Sequence, residues 1–357
     1  MNITRQLRHL GQSLWLDNIT RGLLTDGTLE HYIQEFDVTG LTSNPTIFDK
    51  AIQNSDTYDG DIRGRAGAVS SDEALFFELA LADLTRAADL FRPVHDTSGG
   101  IDGWVSLEVS PSLADDTAGT VQAARALYGQ AGRTNLFIKI PGTRAGIPAV
   151  EETIFAGVPV NVTLLFSREH YLAAAEAYLR GIERRLAAGR DPAVGCVASL
   201  FVSRWDVAVQ DKVPAVLKNR LGIAIAQRTY QAYRELLAST RWQTLNDAGA
   251  RPQRLLWAST GTKDPEAPDT LYLEALAASQ TINTVPEQTL LAFAEHGRLS
   301  GELPVEGGDA NALLAEFAQT GVDIDILAER LQHDGVQAFA ASWQALLRRI
   351  ASKRGDG

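Results

Sequence analysis

The segment NLFIKIPGT (135–143) sets one ammonium group, Lys139, inside an apolar, strand-like run. An unpaired buried charge is costly, so this residue needs a partner or a task. Lysine is also the side chain whose pKa falls readily on desolvation, which supplies a neutral amine able to attack a carbonyl. The chain has only six lysines, Lys50, Lys139, Lys212, Lys218, Lys263 and Lys353, and draws most of its positive charge from arginine. Placing one of the six in the most apolar setting points to chemistry. A structural ion pair with a nearby carboxylate fits the strand equally well.

Alternate residues of a strand share a face. Phe137 and Lys139 therefore point one way, and Leu136, Ile138 and Ile140 the other. The same alternation pairs Trp15 with Asp17, Thr42 with Asn44, Ser106 with Glu108, Asn161 with Thr163, Val197 with Ser199 and Trp257 with Ser259. Each pair places a polar group near the C-terminal end of its segment. Carboxyls, amides, hydroxyls and an amine would thus converge where parallel α/β barrels keep their active sites. Local alternatives exist for some of them. Asp17 could cap a following turn, and Asn44, next to Pro45, suits a helix N-cap. Glu108, mid-strand among apolar neighbours, needs a partner or a task. Thr163 and Ser199 are ordinary strand residues by type.

Eight short apolar segments could position these groups: 13–19, 38–44, 103–109, 135–141, 158–166, 195–202, 254–260 and 281–286. Helical patterns separate them, including 73–91, 167–189 and 227–240. Strands alternating with helices predict a parallel, right-handed α/β arrangement, and eight of them predict a closed (β/α)8 TIM barrel. An open doubly wound sheet fits less well, because no glycine-rich phosphate turn follows the first strand. The polar, Gly-rich stretch 55–72 reads as an inserted loop. Residues 301–310 read as a linker to a helical tail (323–353) that packs outside or across the barrel. The expected organisation is a single domain over 1–357, with a barrel core at about 10–300 and C-terminal helices at about 310–354.

Composition narrows the function classes. Of 357 residues, 45% are hydrophobic and 22% charged, enough for a substantial core. A formal net charge of −11 argues against general binding to nucleic acid or anionic membranes. No apolar run approaches the ~20 residues of a membrane helix, and the N-terminal residues lack a signal-peptide pattern. The lone cysteine, Cys196, allows no internal disulfide, in keeping with a cytoplasmic location. The six histidines are scattered without metal-ligand spacing, and neither a metal nor a cofactor is expected.

At IKIPGT, together with VTGLTSNPTIFDKAI (38–52) and VNVTLLFSREHY (160–171), the sequence resembles the transaldolase family. The likeness spans roughly residues 10–300. It is greatest to the branch with an ASTGTK segment (258–263), whose members are sometimes fused to a phosphoglucose isomerase; no such second domain is read here. The resemblance implies a barrel that transfers a dihydroxyacetone unit between sugar phosphates of the pentose phosphate pathway. It implies Lys139 as the Schiff-base residue and Asp17 as the general acid/base. Glu108 and Thr163 would hold the water of carbinolamine formation. Asn44, Asn161 and Ser199 would bind the dihydroxyacetone hydroxyls. Arg204, just past its strand, could grip phosphate bidentately. Ser259 ends the seventh segment, and a helix-opening turn after it would favour phosphate. Better-known transaldolases carry an arginine two residues beyond that serine. Gly261 stands there in this chain, and Lys263 is the nearest cation. An aldolase releasing free dihydroxyacetone and a non-catalytic sugar-phosphate-binding protein remain compatible with these residues. The expected partners are sugar phosphates, with the chain a monomer or homodimer.

Overall fold

A computed structural model of the chain describes residues 2–65, 67 and 69–355. Eight parallel strands close into a barrel in chain order: β1 (Ser13–Leu16), β2 (Val38–Leu41), β3 (Trp104–Glu108), β4 (Leu136–Pro141), β5 (Val160–Leu165), β6 (Cys196–Phe201), β7 (Gln253–Ala258) and β8 (Ile282–Val285). Helices join consecutive strands, as the alternating sequence pattern requires. Outward residues such as Leu136, Ile138 and Ile140 are fully buried under this helical layer.

The barrel interior is filled in layers. At its N-terminal end Asp102 accepts hydrogen bonds from Ser13 Oγ (2.7 Å), Trp15 Nε1 (3.2 Å) and Arg254 Nη1 (3.1 Å). Above lies an aromatic layer, in which Phe137 stacks on Trp104 at 4.1 Å and meets Trp15 at 6.2 Å. The wide rings fit because a neighbouring position lacks a side chain. A Cβ on Gly40 would lie 2.5 Å from Trp15 Cε2. The polar groups at the C-terminal mouth rest on this aromatic floor.

Several expectations are corrected. The stretch 55–72 is not simply a loop, since it contains a 3-10 turn (Asp56–Tyr58) and a helix (Asp59–Arg65). Ser55 caps the turn, and Tyr58 and Ile62, four residues apart, supply the buried stripe beneath the polar residues. Ala66 and Ala68 of that stretch lie outside the described residues. Trp257 faces the helices and not the interior. Its ring meets Tyr230, and its Nε1 donates to Leu276 O (3.0 Å). No helix opens directly after Ser259 either, and the next one begins at Leu271. The tail lies across the barrel. Its long helix, Ile324–Gly355, crosses the C-terminal mouth and packs on the helix Pro45–Gln53.

Candidate active site

Strand register brings the ionisable groups together. Glu108 pairs in register with Lys139, and Lys139 with Asn161, so three adjacent strands present carboxylate, amine and amide in one row. Lys139 Nζ lies 3.6 Å from Glu108 Oε2 and donates to Ser43 O at 3.1 Å. Both partners are buried, at 5% and 7% exposure. Burial raises the Glu108 pKa to about 7, and the adjacent Lys139 charge opposes that rise. Neither Glu108 Oε2 nor Thr163 Oγ1 has a hydrogen-bond partner among the described residues, so both can serve a water or a substrate oxygen.

Asp17, just beyond β1, is half-buried at the cavity wall. It caps no helix, because Thr20 is the residue that caps Arg21–Thr25. Burial raises its pKa against the pull of Lys139 and of a 2.7 Å hydrogen bond from Thr42 Oγ1. Thr42 Oγ1 also meets Thr284 Oγ1 at 2.7 Å, which links β8 to Asp17 through a hydroxyl relay.

Asn44 does cap the helix Pro45–Gln53, with its Oδ1 accepting from Ile47 N at 3.0 Å. Its amide NH2 stays available at the cavity wall. The cavity, ≈ 140 Å³, is also lined by Lys139, Thr163, Ser199, Phe201, Arg204, Ser259, Lys263, Thr284 and Phe339. Two expected site residues are not part of that lining. Glu108 sits behind Lys139, while Asn161 is fully buried, accepting from Ser199 Oγ (2.7 Å) and donating to Ser106 Oγ (3.2 Å).

At the other side of the cavity stand the cations. Arg204, on the helix Ser203–Val209, makes no ion pair with Asp206. That carboxylate instead accepts from Leu221 N, Gly222 N and Tyr272 OH. Among the described residues the Arg204 guanidinium makes no ion pair, and the rings of Phe201 and Phe339 lie 5.0 Å and 5.8 Å from its centre. Burial lowers its pKa, yet a guanidinium stays cationic. Ser259 adopts a left-handed backbone (φ 55°), which breaks the strand alternation and brings both Ala258 and Ser259 to the cavity. Lys263 reaches the same cavity from the loop beyond. Thr42 lies on the strand face that alternation gives it, whereas no site role is legible in sequence for Thr284, Phe201 or Phe339. Thr284 meets Thr42 across 242 residues, and Phe339 comes from outside the barrel strands.

Among the described residues no group of three His, Cys, Asp or Glu side chains could hold a metal ion, and no helix is long and apolar enough to cross a membrane. The fold and cavity together define a class: a parallel eight-stranded barrel enzyme with an amine–carboxylate pair at its C-terminal mouth. The profile of the family described as Transaldolase/Fructose-6-phosphate aldolase matches residues 14–350, and the chain belongs to that family. It is 45% identical to a transaldolase of Thiobacillus denitrificans, over 98% of this chain and 100% of that protein. It is also 45% identical to a transaldolase of Thermobifida fusca, over 98% and 97% of the two chains. To a protein named transaldolase 2 from a Nostoc species it is 38% identical, over 99% and 98%.

Proposed function

We propose that the chain transfers a dihydroxyacetone unit between sugar phosphates through an imine at Lys139. In this reading it takes the unit from sedoheptulose 7-phosphate to glyceraldehyde 3-phosphate, giving erythrose 4-phosphate and fructose 6-phosphate. One observation carries the reading: a buried amine beside a carboxyl whose pKa is raised to about 7, at a cavity that also holds Asp17 and two cations, Arg204 and Lys263, that make no ion pair among the described residues.

The Lys139 amine attacks the C2 carbonyl, and Glu108 with Thr163 handles the proton and water of carbinolamine formation and dehydration. The iminium takes up the electron pair as the C3–C4 bond breaks, while Asp17 accepts the C4 hydroxyl proton. The resulting enamine carbon then attacks the aldehyde of the acceptor. Asn44 serves the dihydroxyacetone hydroxyls from the cavity wall. Ser199 holds the C1 hydroxyl, and Asn161 acts through the Ser199 hydroxyl that it binds. Arg204, Ser259 and Lys263 receive the phosphate, with Lys263 supplying the second positive charge. Because the iminium is itself the electron sink, the reaction needs no metal or cofactor. The chain works as one domain, barrel and C-terminal helices together, in the cytoplasm, as a monomer or homodimer.

Borohydride reduction in the presence of fructose 6-phosphate tests the imine, with peptide mapping expected to place the adduct on Lys139. Adding erythrose 4-phosphate should then yield sedoheptulose 7-phosphate. Lys139→Ala should fold normally and lose both trapping and turnover. Retained turnover in that variant would sink the assignment.

A further inference from the structure

The long C-terminal helix lays one face on the barrel mouth. Gln332, Gly335, Phe339 and Ser342 fall at spacings of three or four and share that face. Each contact fits the mouth. Gln332 Nε2 donates to Gly142 O (3.0 Å) and Leu164 O (2.9 Å), carbonyls at the ends of β4 and β5. Thr46 Oγ1, two residues beyond Asn44, bonds to Ser342 Oγ at 2.8 Å. Farther along, Arg349 pairs with Asp49 and Lys353 with Asp59, which fasten the helix down. Held this way, the helix inserts one side chain into the cavity. Phe339 is 7% exposed, with its ring centre 5.9 Å from Lys139 Nζ and 5.8 Å from the Arg204 guanidinium carbon. One aromatic ring thus lies near the cations at both ends of the site.

We infer that Phe339 is a positioning residue that sets the partition between group transfer and hydrolysis. This rests on the imine reading above. After C3–C4 cleavage the enamine has two fates. In transfer, its carbon forms a C–C bond to the acceptor aldehyde, whose oxygen takes a proton, and water then adds to C2 of the product iminium so that the C–N bond breaks and the ketose leaves. In release, that carbon takes a proton instead, water adds to C2 of the iminium, and the C–N bond breaks to return the amine and free dihydroxyacetone. Both routes end with water at C2, and only release first requires a proton delivered to the enamine carbon. The Phe339 ring, close to Lys139, shields the enamine carbon from the water that would deliver this proton before the acceptor arrives, while its contact with Arg204 holds the guanidinium ready for the substrate phosphate.

The test uses the full chain with Phe339→Ala and Phe339→Leu, supplied with fructose 6-phosphate with and without erythrose 4-phosphate. Dihydroxyacetone release and sedoheptulose 7-phosphate formation are both measured. Phe339→Ala should raise the release-to-transfer ratio about tenfold and raise KM for fructose 6-phosphate more than it changes kcat. Phe339→Leu keeps the apolar bulk but lacks the ring, so it should restore the partition more than the KM. Should the alanine variant fail to fold, the leucine variant alone decides through its KM. An unchanged ratio and KM in the folded variants overturn the role of Phe339, even where both lose thermal stability. Absence of borohydride trapping at Lys139 in the unmodified chain is a separate failure, that of the imine reading itself.

Discussion

Glu108, with its pKa pushed up to about 7 by burial, can pass between acid and base forms at neutral pH, as its proposed role requires. The same shift has a consequence for stability. The folded state binds this proton more tightly than the unfolded chain, whose carboxyl titrates near its ordinary value of 4.5. Between those two values the folded state holds more protons, so the stability contributed by Glu108 is full below about 4.5 and falls as pH rises to about 7. Glu108→Gln should flatten this slope. Relative to the unmodified chain, the variant should gain on the order of 3 kcal/mol between pH 5 and pH 8, read from denaturant unfolding at each pH. It should also lose the kinetic limb near pH 7. Parallel stability curves for the two proteins would remove Glu108 as the titrating group. Lys139 and Glu108 were legible in sequence because a charge inside an apolar strand is conspicuous and alternation fixes its face. The link from Thr42 to Thr284 was not, since it depends on β8 closing against β1.

At the scale of the element, Gly335 lies in the middle of a helix, where glycine costs about 1 kcal/mol relative to alanine. A Cβ there would lie 3.0 Å from Leu164 Cδ2 and 3.2 Å from Arg204 Nη1. The missing side chain lets the helix approach the mouth closely enough to seat Phe339. In Gly335→Ala the gain in helix propensity and the steric push oppose each other, so stability should change by less than about 1 kcal/mol. The push falls on Arg204. KM for fructose 6-phosphate should therefore rise several-fold while kcat moves little, as steady-state kinetics would register. A higher melting temperature with unchanged KM would show that the helix has room to spare. The helix itself could be read from its periodicity, but its seat could not, because Gln332, Gly335 and Ser342 are not an apolar stripe. Trp257 faces outward, against the alternation expected from Ser259, because a left-handed backbone at Ser259 breaks that alternation.

Across the whole molecule the two ends of the barrel divide stability from function. Eight strands were legible because β-branched segments alternate with long helical ones, and the closed parallel barrel follows from that count. The polar residues at the N-terminal end carried no such signal, as Ser13, Asp102 and Arg254 meet only once the barrel closes. Their arrangement there is self-contained. Arg254 donates to Asp102 Oδ1 (3.1 Å), Ser13 Oγ (2.7 Å), Ile101 O (3.1 Å) and Thr281 O (2.8 Å), which leaves little capacity for a ligand. At the mouth, by contrast, Arg204, Thr163 and Glu108 keep unused capacity. Arg254 is the second residue of β7 and Ala258 ends it at the cavity, so roughly 13 Å of strand separates the two polar layers. Removing the Asp102 carboxylate leaves the 8%-exposed Arg254 with a buried charge and only neutral acceptors. Asp102→Ala should therefore lower unfolding stability by about 3 kcal/mol, measured by denaturant titration. Its kcat and KM should stay within about twofold of the unmodified chain at temperatures where it remains folded, since additivity holds for distant sites. A variant that kept its stability but lost turnover would instead show that the aromatic floor transmits strain from one end of the barrel to the other.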